Sequence, residues 1–330
     1  MTRLKQILVT GGAGYVGSVL VPKLLDAGYR VRVLDLFLYG EDVLQPDANL
    51  DAIKGDLRDM AIVRRAVAGC DGVVHLACIS NDPSFELDPR LGKSINFDAF
   101  RPLVEAARDA GAKRFLYASS SSVYGVKRQP QVTEDLPLEP LTDYSKYKAL
   151  CEGVLREYQS DDFATVTLRP ATVCGTSPRL RLDLTVNLLT NHAVNNGRIR
   201  VFGGDQFRPN LHIDDMTDLY LQLLELPTDR VAGKIWNAGH DNLQVREIAE
   251  RIRDNMPDDD VSIITEPTDD LRSYRVSSQA IERDIGFRPK RTVDDAVRDL
   301  LAAFRSGDVP DAMTDDRYFN VKLMQRIQMT

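Results

Sequence analysis

Apolar residues in the first half of the chain alternate between two periods. Short runs rich in β-branched residues at 6–10, 30–35, 50–54, 72–76, 114–119 and 165–170 read as strands. Between them, residues 18–27, 60–68, 96–110 and 142–158 carry apolar side chains at helical spacing, the mark of helices with one buried face. Strands alternating with helices in this way predict βαβ units, so the fold class is α/β with a doubly wound parallel sheet.

After Arg169 and Pro170 the rhythm changes to loops rich in Arg, Gly and Pro. A hairpin is expected from 199–202 and 210–213, with helices near 216–226 and 245–255. The expected division is a dinucleotide-type domain over 1–170 and a smaller substrate lobe over 171–330. Segments near 214–240 are expected to return to the first domain, with 234–238 as a further strand of the main sheet. Residues 257–260 and 265–270 are acidic and read as solvated loops.

Composition narrows the class. A chain of 330 residues, 43% hydrophobic and 28% charged, is long enough to bury a large core or two cores flanking a cleft. A net charge of −7 offers no basic footprint for nucleic acid. No apolar run approaches the roughly 20 residues that span a bilayer, and the first strand begins at once, without the apolar core of a signal peptide. No membrane association is expected, and the expected location is the cytoplasm. The four cysteines lack CxxC spacing and the four histidines are far apart, so neither disulfides nor a metal site is expected.

Chemistry first becomes legible at Thr10-Gly11-Gly12-Ala13-Gly14-Tyr15-Val16-Gly17. These residues follow a strand and open a helix, where glycines allow a tight turn and bring backbone N–H groups up to a pyrophosphate. Asp35 closes the second strand 18 residues after Gly17, near the spacing expected of a ribose-binding acid. Together they predict a Rossmann-type dinucleotide site. A carboxylate at Asp35, followed by Leu36 and Phe37 and not by arginine, favours NAD over NADP; only Arg30 and Arg32 speak for the phosphorylated form. Asp56, at the end of the third strand, is placed to meet the adenine amino group or to cap the following helix.

Tyr144 and Lys148 stand at i and i+4, on one helix face. An ammonium there stabilises a phenolate and moves tyrosine toward use as a general base. Upstream lies Ala118-Ser119-Ser120-Ser121-Ser122-Val123-Tyr124-Gly125, at the carboxyl end of the fifth strand. With the glycine loop, Asp35, Gly55-Asp56-Leu57-Arg58-Asp59, His75-Leu76-Ala77, Asn96, and Arg208 ahead of His212-Ile213-Asp214-Asp215, the chain resembles the extended short-chain dehydrogenase/reductases. The likeness is to their nucleotide-sugar epimerase and dehydratase branch.

The resemblance implies roles residue by residue. Tyr144 would be the acid/base, Lys148 the holder of the nicotinamide ribose, and Ser120 the hydroxyl on the reacting sugar oxygen. NAD would lie against Gly11, Gly14, Tyr15, Val16, Gly17, Asp35, Asp56, Leu57, Leu76 and Ala77, besides Tyr144 and Lys148. A nucleotide-diphosphate sugar would meet Ser80, Asn81, Ser121, Thr172, Arg179, Arg181, Asn187, Arg208 and Arg275. A homodimer pairing through 96–110 and 144–158 is also implied.

The branch's 4,6-dehydratases carry an Asp-Glu pair after the catalytic hydroxyl; here Ser121 and Ser122 stand there and cannot serve as carboxylate acid and base. The branch's UDP-glucuronate decarboxylases place glutamate at the position of Ser122. The serine string instead resembles 4-epimerases, including those acting on UDP-hexuronic acids. A 4-keto-sugar reductase, an unconventional dehydratase and a non-catalytic NAD-binding protein are the competing readings. Thr172 replaces an asparagine usual in the branch, Cys174 stands where tyrosine or valine is frequent, and Arg179 and Arg181 are additions suited to a diphosphate or a carboxylate.

Overall fold

The computed structural model describes residues 4–257, 260–269 and 273–328. Its strands and helices run β1 (Gln6–Thr10), α1 (Gly17–Asp26), β2 (Arg30–Asp35), β3 (Leu50–Lys54), α2 (Met60–Val67), β4 (Gly72–His75), α3 (Asp82–Leu87), α4 (Pro89–Lys93) and α5 (Phe100–Asp109). Then come β5 (Arg114–Ala118), α6 (Asp143–Glu157), β6 (Ala164–Pro170), β7 (Thr172–Cys174), α7 (Thr185–Asn196), β8 (Arg198–Phe202), β9 (Phe207–His212), α8 (Ile213–Glu225) and α9 (Thr228–Val231). The last are β10 (Lys234–Ala238), β11 (Asp241–Gln244), α10 (Val245–Asn255), β12 (Ser262–Glu266), α11 (Gln279–Ile285), α12 (Val293–Ser306) and α13 (Asn320–Ile327).

Seven strands form one parallel sheet in the order β10-β6-β5-β4-β1-β2-β3. The chain winds outward from β1 to β3 and then restarts at β4 on the other side of β1. A crevice opens at that switch, outside the carboxyl ends of the strands. One apolar core, with Leu20, Leu24 and Trp236, lies on the face covered by α1 and α8; a second, with Phe100, Phe115 and Leu155, lies under α2, α5 and α6. The central strands β1, β4, β5 and β6 are buried along nearly their whole length, because helices cover both faces.

The lobe beyond β6 differs from the expected one. No hairpin joins β8 to β9: β8 pairs with β12, while β9 lies between β11 and β7. Gly203 and Gly204, at φ 78° and 116°, turn the chain at this corner and deliver it to another sheet. The segment 265–270 is therefore not all loop, since Thr265 and Glu266 finish β12; residues 258, 259 and 270 lie outside the described residues. The third core joins α7, α10 and α12 around Val186, Ile248 and Val297. Strand β10 pairs parallel with β6, and α8 packs on α1, so the chain crosses back to the main sheet before finishing the lobe.

The expected helix 96–110 starts earlier and is interrupted. A π-helical turn over Ser94–Asp98 links α4 to α5 and turns Asn96 inward. There its amide exchanges hydrogen bonds with both backbone groups of Ile79, at 2.8 and 2.9 Å. The chain leaving β4 is fastened by this pair. Within the segment 80–89 that follows lies α3.

Candidate active site

The glycine loop is shaped by contact. Gly11 has φ +75°, and a Cβ there would lie 2.6 Å from the Ala77 nitrogen. A Cβ on Gly17 would overlap the Gly11 carbonyl, and one on Gly12 would lie 2.7 Å from Val33. Gly11 and Gly17 let the turn close, Gly12 lets α1 sit on the sheet, and the N-terminus of α1 faces an open cleft. That cleft is lined by Gly14, Tyr15, Val16, Leu57, Leu76 and Ala77, with Ala118, Tyr144 and Lys148 at the other end.

Asp35 also lines it. Its two carboxylate oxygens accept from the Ala13 N–H at 3.0 Å and the Phe37 N–H at 2.7 Å, which fixes the carboxylate between loop and strand. Burial raises its pKa, against the pull of those two N–H groups and of Arg179. Arg32 points away, tied to Asp51 at 2.6 Å and to carbonyls at the end of α2, and Arg30 is exposed at the far end of β2. Asp56 lines the cleft and is gripped by Arg58, which overrides burial and lowers its pKa; Asp59 caps α2 instead. The glycine loop, the helix N-terminus lining the cleft and the fixed Asp35 fit a dinucleotide, and when bound it supplies a hydride acceptor.

Helix α6 begins at a capping box between Thr142 and Ser145, which sets Tyr144 in its first turn. Lys148, one turn on, donates to the Ala118 carbonyl at 2.7 Å and lies 5.8 Å from the Tyr144 ring centre. Ser120, two residues past β5, caps the short turn Ser121–Tyr124 through the Ser122 N–H, pairs with the Ser122 hydroxyl at 2.8 Å and acts on Tyr144. Burial raises the Tyr144 pKa well above that of a free phenol, Cys78 and Asp82 push the same way, and Arg181 and Ser120 oppose them. Tyr144 and Lys148 thus line one end of the cleft, and Ser120 acts on Tyr144 from beside it. Ser119 lines the cleft while its hydroxyl donates to Glu152 at 2.5 Å, and Ser121 lies 3.4 Å from the Tyr274 hydroxyl.

The other sequence candidates divide. Ser80 reaches the cleft and accepts from Arg181 at 3.0 Å and Asn320 at 2.9 Å. Asn81, at φ 77°, caps α3 and lies 3.5 Å from Asp183. Arg179 and Arg181 are buried and both line the cleft. Asn187 does not reach it: its side chain is fully buried, and its amide is used up on Gly175, Arg181 and the Tyr15 hydroxyl. Thr172 sits in β7 opposite Asn210. Arg208 and Arg275 gather around Phe207, Arg275 lying 4.6 Å above its ring and Arg208 donating to its carbonyl; Arg272 is outside the described residues.

Further lining residues were not singled out from sequence, among them Tyr39, Cys78, Asn320 and Met324. Asn320 and Met324 share one face of α13, a helix-period signal visible in Asn320, Leu323 and Met324. What that face covers is not written locally. Among the described residues no cluster of His, Cys, Asp or Glu could hold a metal, and no helix is long and apolar enough to cross a membrane.

Comparison with known proteins matches this geometry. Residues 7–239 match the sequence model of the NAD dependent epimerase/dehydratase family. A UDP-glucose 4-epimerase of Streptomyces lividans is 31% identical over 266 residues, 74% of this chain and 79% of that one. A D-erythronate dehydrogenase of Cupriavidus necator is 35% identical over 184 residues, 50% of this chain and 56% of that one. The structure of DesIV, a dTDP-glucose 4,6-dehydratase of Streptomyces venezuelae with NAD bound, superimposes with a TM-score of 0.83 at 26% identity, covering 93% of this chain and 99% of that one. A family match over more than half of the chain, on a cleft built around the glycine loop and Asp35, places the protein in the NAD-dependent epimerase/dehydratase family, with NAD as its cofactor.

Proposed function

We propose that the protein is a nucleotide-sugar 4-epimerase. The observation that carries this reading is the pairing of Tyr144 and Lys148 in the wall of the NAD cleft, with Ser120 acting on Tyr144 and serines at 121 and 122 where an elimination would need carboxylates. The Tyr144 phenolate takes the proton of a carbinol hydroxyl, and Ser120 hydrogen-bonds the oxygen left behind. Lys148 places its positive charge beside the phenolate. The carbinol hydride would pass to NAD, held by the glycine loop and Asp35, and come back to the other face of the keto sugar, and return of the proton from Tyr144 completes the inversion with no net redox change. Arg208 and Arg275 are suited to a diphosphate, and Arg181, beside Ser80 and Tyr144, to a polar group on the sugar.

Asp82 supports a second reading. It is a carboxylate whose charge bears on Tyr144, held by the Thr142 hydroxyl at 2.5 Å, and could replace the missing pair in an unconventional dehydration. The purified protein should be incubated with a panel of UDP-, dTDP- and GDP-sugars. Epimerisation gives an isomer of unchanged mass with no net NADH; a product lighter by one water supports dehydration, and stoichiometric NADH consumption supports a reductase. Tyr144→Phe is expected to lower turnover by about 10³-fold or more while NAD affinity stays within about threefold. An unchanged rate would remove Tyr144 from the chemistry. We also propose that the enzyme works in the cytoplasm as a homodimer.

A further inference from the structure

Arg179 comes from the segment after β7, outside the main sheet, yet its side chain ends in the cofactor cleft. Its backbone N–H is 3.3 Å from the Ser18 hydroxyl, in the first turn of α1, so the residue starts beside the helix N-terminus. Its guanidinium lies on the ring of Tyr39, 3.4 Å from the centre, and its charge acts on Asp35. The side chain therefore runs from the place where backbone N–H groups face a pyrophosphate to the place where a carboxylate faces a ribose.

The surroundings leave this cation incomplete. Arg179 is 4% exposed; one terminal nitrogen donates to the Asn320 side-chain oxygen, while Nε is buried with no partner. The neighbouring acid, Asp183, is taken by the fork of Arg181 at 2.8 and 3.2 Å. Burial pushes the Arg179 pKa down to about 10, a measure of how poorly its charge is compensated. A buried guanidinium with an open donor in a cleft wall calls for an oxyanion, and its planar fork suits phosphate.

We infer that Arg179 is a ligand of the cofactor diphosphate, contributed by the substrate lobe and closing over the anion that the N-terminus of α1 meets from below. The inference rests on the NAD cleft alone and does not require the 4-epimerase reading. Its partners separate it from the substrate: Arg179 contacts Tyr39 and Ser18 and acts on Asp35, whereas Arg181, two residues on, turns to Ser80 and Tyr144. Asn320 fixes the arrangement. Its side-chain oxygen accepts from both Arg179 and the Tyr39 hydroxyl, its amide donates to Ser80, and its backbone N–H donates to Asp183, so α13 latches the wall that carries the cation.

The test measures binding of NAD⁺, ADP and adenosine to cofactor-free protein by calorimetry. Arg179→Met is expected to weaken NAD⁺ and ADP about 30–100-fold and adenosine less than about twofold, since only the first two carry the diphosphate. KM for the sugar nucleotide at saturating NAD should stay within about threefold. Asn320→Ala, which frees the guanidinium without removing it, should weaken NAD⁺ about five- to tenfold. If Arg179→Met does not fold, Arg179→Lys is the substitute, with the same preference for ADP over adenosine in the loss. Unchanged NAD⁺ and ADP affinity, an equal loss for adenosine, or a rise confined to the sugar-nucleotide KM would each overturn the assignment.

Discussion

At the scale of single residues, the site works by placing unlike charges where burial would otherwise oppose them. Burial holds Tyr144 protonated, so its use as a base depends on positive charge nearby. Lys148, anchored on Ala118 and 5.8 Å from the phenol ring, is one such source, and Arg181 is another. Removing a cation disfavours the phenolate, so Lys148→Met should shift the rising limb of the kcat/KM profile to higher pH and lower turnover about 10²-fold. A profile that keeps its midpoint would show that Lys148 only binds. His75 makes a different point. Buried among Phe100, Phe115 and Tyr117, and hydrogen-bonded to Thr10 at 2.7 Å, it is pushed down to about 3 by burial and then by Lys148. The unfolded chain takes up a proton near pH 6.5 that the folded chain refuses. His75 therefore costs nothing above that pH and destabilises the fold as pH falls from about 6.5 toward 3, by at most roughly 5 kcal/mol. Denaturant unfolding between pH 4 and 8 should show this slope, and it should flatten in His75→Gln.

At the scale of elements, two local devices carry the site. One is the β1–α1 turn, where a Cβ on Gly11 would run into the backbone of Ala77. Gly11→Ala forces a side chain into a left-handed backbone position and against that contact, so a loss of about 1–3 kcal/mol in stability and at least tenfold in NAD⁺ affinity is expected, read by thermal unfolding and calorimetry. Normal affinity in this variant would mean that the loop does not set the cofactor position. The other device is the buried network beneath the serine string. Glu152 on α6 takes the Arg169 fork at 2.7–3.2 Å and the Ser119 hydroxyl, and Arg169 goes on to Tyr124, which donates to Asn237 on β10. Strands β5, β6 and β10 and helix α6 are thereby held in one register behind Ser120.

At the scale of the whole molecule, the cleft is a joint product of distant segments. The main sheet supplies the glycine loop and Asp35, α6 supplies Tyr144 and Lys148, the stretch after β7 supplies both arginines, and α13 closes one wall. The proposed dimer uses the outer faces of α5 and α6, where Leu150 is 43% exposed. Sedimentation at micromolar concentration should give the mass of two chains, and Leu150→Glu should shift it toward one. A monomer in the unsubstituted protein would rule the pairing out.

What the sequence determined by itself was everything that depends on short-range periodicity. The parallel sheet, the loop from Gly11 to Gly17, Asp35, and the i, i+4 pair of Tyr144 and Lys148 could be placed because strand, turn and helix each leave a local pattern of apolar, glycine and polar positions. The same locality explains the failures. Strands β8 and β9 look like a hairpin because they are neighbours in sequence, yet their partners lie tens of residues away. Asn187 looks available until the fold spends its amide on Gly175 and Arg181. Only the tertiary structure decided that Arg179 faces Tyr39 and Asn320 while Arg181 faces Ser80, since these contacts join residues 101 to 141 positions apart, and no local pattern encodes a loop-closure that long.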